Sequence, residues 1–202
     1  VGGAGLSGAL LTGGRSRRLG TDKASFDPFG EGSMLAIGAA ALREAGCTEI
    51  ATVGGERRFG QPDGVVHLAD LHPDEGPLGG IITALRWASN DLTVVLACDM
   101  PFIDGGVVTQ LVAGALDDPL AAVVVARVEQ RAQPLTAVWR RSRVLDELSR
   151  GFEAGVRAPR LLLPRIECRF ADDLDPERIL DIDSPVDVER YAPISERRRA
   201  GE

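Results

Sequence analysis

Four cations crowd into nine residues of this chain, Arg15, Arg17, Arg18 and Lys23, within the stretch Leu11-Thr12-Gly13-Gly14-Arg15-Ser16-Arg17-Arg18-Leu19-Gly20-Thr21-Asp22-Lys23. Glycines let backbone N–H groups approach an anion, and guanidinium and ammonium groups supply charge-assisted hydrogen bonds to its oxygens. The combination suits a polyphosphate. A solvated surface turn is the plainer alternative, but the cluster follows an apolar run directly and lies in a chain of net charge -7. Two familiar phosphate motifs are excluded. No glycine directly precedes Lys23, as a P-loop requires, and the spacing after Gly13 does not make G-x-G-x-x-G.

A second chemical position is Asp99, at the end of Val94-Val95-Leu96-Ala97-Cys98-Asp99-Met100-Pro101. A carboxylate at the end of a buried strand has a rigid base, and Mg²⁺ is typically held by one or two carboxylates together with substrate phosphates. Asp99 is therefore the metal candidate. It is a poorer helix cap than Asp104, which stands directly before the next helical pattern. The third position is Asp70, followed by Gly76-Pro77-Leu78-Gly79-Gly80. Small residues at a helix entrance admit a flat base or sugar, although Gly-Pro is also common loop punctuation. His67 and His72 straddle Asp70, yet no third ligand is spaced for a metal, and they read as a strand-end and a loop histidine.

Placing these residues requires strands that end where the chemistry begins. Short apolar or β-branched runs at 6–12, 49–53, 65–68, 93–98, 121–128 and 135–139 read as strands. Helical patterns cover 33–45, with Ser33 as N-cap and Gly46 as stop, then 81–88, 104–116 and 142–150. The last third is less regular. Residues 169–170 and 179–182 are weak strand candidates, and Ser184-Pro185 opens a short helix to about Tyr191. The alternation predicts a single-domain α/β three-layer sandwich on a mostly parallel, Rossmann-like sheet, spanning 1–193, with a frayed charged tail over 194–202. In such sheets ligands sit beyond the carboxyl ends of the strands.

The acidic balance argues against nucleic acid as a partner, since such binders carry a net basic face. Cys47, Cys98 and Cys168 are odd in number and far apart, which fits neither a disulfide framework nor a zinc spacing. A reducing cytosol is expected. No apolar run reaches the ~18 residues that cross a bilayer, so no membrane association is expected.

Taken in order, these motifs resemble the molybdenum cofactor guanylyltransferase family, within the nucleotidyltransferases related to sugar-nucleotide pyrophosphorylases. Leu11 to Lys23 satisfies every specified position of the family's L-x-G-G-x-S-x-R-[ML]-G-x-D-K, and Gly76 to Gly80 resembles its G-P-L-x-G. Cys98 to Pro101 matches C-D-x-P, Gln133-Pro134-Leu135 resembles its H/Q-P-L, and Asp181 to Asp187 resembles the closing N/D-[IV]-[ND]-[TS]-P-E-[DE]. Thr12 stands where the family usually has alanine, and no asparagine follows Val53.

The resemblance implies transfer of GMP from GTP to the phosphate of molybdopterin, with Mg²⁺ as cofactor and pyrophosphate as leaving group. It implies that Leu11, Thr12, Gly13, Gly14 and Gly79 touch the nucleotide, Lys23 its phosphates, Asp70 the base or ribose, and Asp99 the metal. Arg18 and Lys23 would stabilise charge on the leaving group, while Gln133 and Arg157 would meet the acceptor. Gly13 is similar to guanylyltransferases, whose cytidylyl relatives tend to carry alanine there. Proteins that deliver or accept the cofactor are implied partners. CTP, a different phosphorylated acceptor, and a silent nucleotide-binding regulator remain as alternatives.

Overall fold

The structure, a computed structural model, describes residues 5–13, 23–55 and 61–201. Gly14 and Arg18, expected at the nucleotide, lie outside the described residues, as do Arg15 and Arg17.

Seven strands form one sheet: β1 (Leu6–Leu11), β2 (Glu49–Val53), β3 (Val65–Leu68), β4 (Leu92–Ala97), β5 (Val123–Val128), β6 (Arg131–Arg140) and β7 (Cys168–Ala171). Their spatial order is β3-β2-β1-β4-β6-β5-β7. The β3-β2-β1-β4 half is parallel, β6 is antiparallel to both β4 and β5, and β7 runs parallel to β5. Among the described residues β6 is thus the one reversed strand. This is the mostly parallel α/β sheet expected from the alternation of elements.

The side-chain period of two sends alternate residues of each strand into different layers. Leu6 and Leu10 of β1 join Val94 and Leu96 of β4 in a core closed by α1 (Met34–Glu44) and α3 (Gly105–Asp117). Ala9 and Leu11 join Val95 in a second core on the other face, closed by α2 (Pro77–Trp87) and α4 (Arg141–Glu153). Strands buried on both faces explain the continuous apolar runs in the sequence. The helix ends also follow local chemistry. Ser33 accepts from Ala36 N–H at the start of α1, and Asp104 accepts from Val107 N–H at the start of α3.

Three expectations are corrected within the body of the fold. The helix expected from Ile81 begins at Pro77, because proline is preorganised for the first helical position and Gly76 turns the chain at φ 91°. Gly79 and Gly80 consequently lie inside the first turns of α2. The strand expected at 135–139 begins at Arg131, since Glu129 and Gln130 adopt φ values of 47° and 64° and close a hairpin between β5 and β6. Pro134 falls where the β5/β6 register shifts, at a bulge that spares the ladder a missing donor. Residues 179–182 form no strand; a 3₁₀ turn, Pro176–Ile179, precedes an extended segment.

The charged end is also ordered differently. α5 runs from Pro185 through Ala200, including Pro193. It is held by a third apolar cluster containing Met34, Phe102, Ile182 and Tyr191, against which Ile194 packs. Beyond that cluster, Ser195 Oγ donates to Glu31 at 2.9 Å and Arg197 pairs with Glu177 at 2.9 Å. Arg198 donates to Phe102 O, with its guanidinium 5.1 Å from the Phe102 ring centroid. Polar and cation–π anchors hold a segment whose sequence offered few apolar ones.

Candidate nucleotide and metal site

β1 and β4 are neighbours, but the chain leaves β1 toward β2 and β3 on one side and reaches β4 on the other. That reversal is a topological switch point, and the crevice beyond the two strand ends is where such sheets bind ligands. Leu11 and Ala97 are register partners at those ends, and Cys98 N–H donates to Leu11 O at 3.3 Å.

On the β4 side, Lys23 opens a 3₁₀ turn, Lys23–Ser25, and its Nζ lies 3.0 Å from Asp99 Oδ2 and 2.5 Å from Asp183 Oδ1. The Lys23 and Asp99 side chains are only 17% and 22% exposed, so their attraction is poorly screened by water. Asp181 completes a group with Asp99 and Asp183 in which one carboxylate oxygen from each lies within 4.8 Å of the others. Among the described residues this is the one such metal-competent group of histidine, cysteine and acidic side chains. Three hard oxygen donors suit a hard divalent cation, and the Lys23 ammonium already sits against two of them as an internal counter-charge.

The electrostatics agree with the geometry. Burial by itself would lower the Lys23 pKa, but the hydrogen bonds from its ammonium to Asp183 and Asp99, with their charges, raise it above the usual lysine value. Asp181 is exposed along one edge, yet its carboxyl is crowded. Desolvation and then the charges of Asp99 and Asp183 hold its pKa above the ordinary aspartate value. A cation relieves this crowding.

On the β2 and β3 side the walls are glycine. Thr12 N–H and Gly13 N–H both donate to Val53 O, at 2.9 and 3.2 Å, and Thr12 Oγ1 donates to Gly54 O at 2.8 Å. Thr12 therefore fastens the end of β1 to the loop after β2. Gly54 has φ 78°, and a Cβ there would stand 3.1 Å from Gly13 Cα and 3.7 Å from Asp70 Cβ. A Cβ on Gly80 would meet Leu11 Cδ2 at 3.3 Å and Asp70 Oδ2 at 3.9 Å. Leu11, Gly13, Gly54, Asp70 and Gly80 thus meet in one place, so closely that a side chain on Gly54 or Gly80 would press on its neighbours.

Asp70 is aimed by its neighbours. Its Oδ1 accepts from His72 N–H at 3.0 Å and lies 2.9 Å from the Thr83 hydroxyl, which also lies 3.0 Å from Gly79 O. The histidines do structural work: His67 Nδ1 pairs with Thr52 Oγ1 at 3.2 Å, and His72 lies against the Phe152 ring at 4.2 Å.

The fold brings Lys23 to Asp99, and Leu11, Thr12 and Gly13 to Asp70, with Gly79 in α2 behind His72. Arg157 is otherwise engaged. Its Nη1 donates to Phe152 O at 2.7 Å, its Nη2 to Glu75 at 2.7 Å, and its guanidinium stacks 4.0 Å from the Phe152 centroid. Gln133 sits at the start of the β6 bulge, opposite Ala126. Asp181 and Asp183 join the expected site residues only through the fold. Their signal was present in Asp-Ile-Asp, where two carboxylates flank one apolar residue and an extended backbone turns both to the same side.

The model for the MobA-like NTP transferase domain matches residues 8–165, well over half of the chain. The chain belongs to the MobA-like NTP transferase family. It is a nucleotidyltransferase, and members of this family typically use a divalent metal. It is 37% identical over 158 residues to a probable molybdenum cofactor guanylyltransferase of Chloroflexus aggregans, covering 75% of this chain and 73% of that protein. A protein of the same description from Clostridium perfringens is 32% identical over 136 residues, covering 67% of this chain and 66% of its own length, just under two thirds. Among solved structures, molybdopterin-guanine dinucleotide biosynthesis protein A from Archaeoglobus fulgidus superposes with a TM-score of 0.75 at 23% identity, covering 95% of this chain and 99% of that one. At that identity the likeness speaks for the fold of this MobA-like chain.

Proposed function

We propose that this nucleotidyltransferase moves GMP from GTP onto the phosphate of molybdopterin, with Mg²⁺, to form the guanine dinucleotide cofactor. The observation that carries the reading is the meeting of Lys23 with Asp99 and Asp183 at the carboxyl end of β4, next to the end of β1. In this reaction an acceptor phosphate oxygen bonds to the α-phosphorus while the bond from that phosphorus to the bridging oxygen breaks, releasing pyrophosphate. Such transfer depends on positioning and charge neutralisation more than on a protein nucleophile.

Each residue has a part in that scheme. The backbone of Leu11 to Gly13 meets the base, and Asp70, packed beside Gly54 and Gly80, accepts hydrogen bonds from it or from the ribose. A carboxylate is an acceptor only, so it favours guanine, whose N1–H and amino group both donate. Lys23 leaves its carboxylates to meet the phosphates, together with Arg18. Asp99, Asp181 and Asp183 would hold Mg²⁺, which would supply neutralisation of the phosphate charge and help to align the reacting groups. The three free cysteines suit a cytosolic setting.

Incubation with α-labelled GTP, Mg²⁺ and molybdenum-loaded molybdopterin tests the assignment. Labelled dinucleotide is the expected product. Labelled CTP serving instead reassigns the base, and pyrophosphate release with only another phosphorylated acceptor reassigns the second substrate.

A further inference from the structure

The second carboxylate of the cation seat lies far from the sheet in sequence, on the extended segment between the 3₁₀ turn and α5. Three contacts fix that segment. The Ile182 side chain is fully buried in the third apolar cluster, and Ile182 N–H donates to Asp99 O at 2.9 Å. The third contact is Asp187, in the first turn of α5. A single oxygen, Asp187 Oδ2, accepts from Asp183 N–H at 3.1 Å, Ser184 N–H at 2.8 Å and Ser184 Oγ at 2.8 Å.

We infer that Asp187 is a positioning residue for the metal centre: it holds the backbone at Asp183, and through it the direction of the Asp183 carboxylate toward Asp99. An ordinary helix cap does not account for the arrangement. A capping box needs the acidic side chain in the first turn to accept from the N-cap residue, and the Ser184 N–H bond fulfils that. The bond from Asp183 N–H lies one residue outside the box. It satisfies no amide of the helix and instead restrains the residue whose side chain reaches Lys23. Groups that orient a ligand-bearing residue typically change metal affinity by about 10–100-fold when removed. The inference rests on the reading of Asp99, Asp181 and Asp183 as the metal site.

Convergence on one oxygen makes the test sharp. Asp187→Asn keeps one oxygen acceptor but loses the charge, whereas Asp187→Ala loses both. Mn²⁺ affinity is measured by titration calorimetry and by electron paramagnetic resonance, in the presence of GTP and without acceptor, alongside melting temperature. The expected results are a loss of about tenfold for Asp187→Ala, as for other orienting groups, with Asp187→Asn and Ser184→Ala remaining near wild type. Equal losses for Asn and Ala would make the effect one of net charge and overturn the inference. So would an unchanged Mn²⁺ affinity in Asp187→Ala, even with a lowered melting temperature. Should the alanine variant not fold, Asp187→Ser carries the same expectation, because its oxygen stops short of the acceptor position. In the full enzyme the KM for the metal rises more than kcat falls. Failure of the wild-type protein to bind Mn²⁺ with GTP would instead refute the underlying metal assignment.

Discussion

The two ends of the β1, β2 and β4 strands treat their carboxylates in opposite ways. At the amino ends, Glu49 Oε1 accepts from Ser7 Oγ at 2.6 Å, Ser89 N–H at 2.7 Å and Ser89 Oγ at 2.9 Å, and Asn90 Nδ2 donates to Ser7 Oγ at 3.1 Å. Asp91 accepts from Ser142 N–H at 2.8 Å and lies 3.6 Å from Arg140. Burial would raise both pKa values, but the hydrogen bonds prevail and hold them below the usual carboxylate range. At the carboxyl ends, Asp181 is pushed the other way by burial and by Asp99 and Asp183. One end spends its acidic groups on holding the strands together. The other keeps like charges close, at a cost to the ligand-free fold, as expected of the proposed cation site.

Substitutions can separate the two ends. The largest effects belong to the crevice: Lys23→Ala and Asp99→Asn are each expected to lower turnover by at least about a hundredfold, the usual result of removing one preorganised stabilising group. Labelled-product formation measures this in variants whose melting curves remain cooperative, and near-wild-type rates would remove these residues from the chemistry. The amino end should respond in stability alone. Glu49→Ala strands the hydroxyl donor of the buried Ser7, while the exposed Ser89 turns to water, and is expected to cost about 1 kcal/mol, read as a lower denaturant midpoint at unchanged slope with turnover intact. An accompanying loss of turnover would mean that the ends are coupled.

The pH response should split in sign. The depressed pKa values of Glu49 and Asp91 mean that their stabilisation is present above the ordinary carboxylate values and is lost as pH falls through the folded ones. Glu49→Gln should therefore flatten the loss of stability in acid. Asp181 has the opposite sign: its raised pKa gives stability present below the ordinary value and lost as pH rises through the folded one. Asp181→Asn should raise the melting temperature of the ligand-free protein at neutral pH, the smallest of these effects. The gain should vanish at about pH 3, below the ordinary aspartate pKa.

The parallel half of the sheet was legible because strands buried on both faces leave continuous apolar runs, and β1, β2, β3 and β4 lie within a residue of their expected limits. The reversed half was harder. The β5–β6 turn uses Glu129 and Gln130 at positive φ in place of an Asn-Gly signal, and Pro134 hid the first residues of a central strand. At the site, Lys23 and Asp99 stood out because charge at the end of an apolar run is conspicuous. Asp181 and Asp183 did not, because the alternation in Asp-Ile-Asp places the two carboxylates on one side without saying what they face, and Asp99 joins them only when Ile182 docks beside Phe102 and its amide reaches Asp99 O. Arg157, expected at the acceptor, has as partners two carbonyls and an acid brought close by the fold. Long-range partners of this kind leave no trace in neighbouring residues.

The reversal of β6 has an architectural consequence. A parallel strand must be reached by a long crossover on one face, but β5 turns straight back into β6 through Glu129 and Gln130, at the edge where β4 delivers Asp99. One rim of the crevice is therefore a hairpin tip, while on the other side of β1 the loop after β3 leads directly into the packed helix α2. A tip can gain or lose residues without disturbing either apolar layer, so substrate range can diversify on this flank while the machinery beside β1 stays fixed.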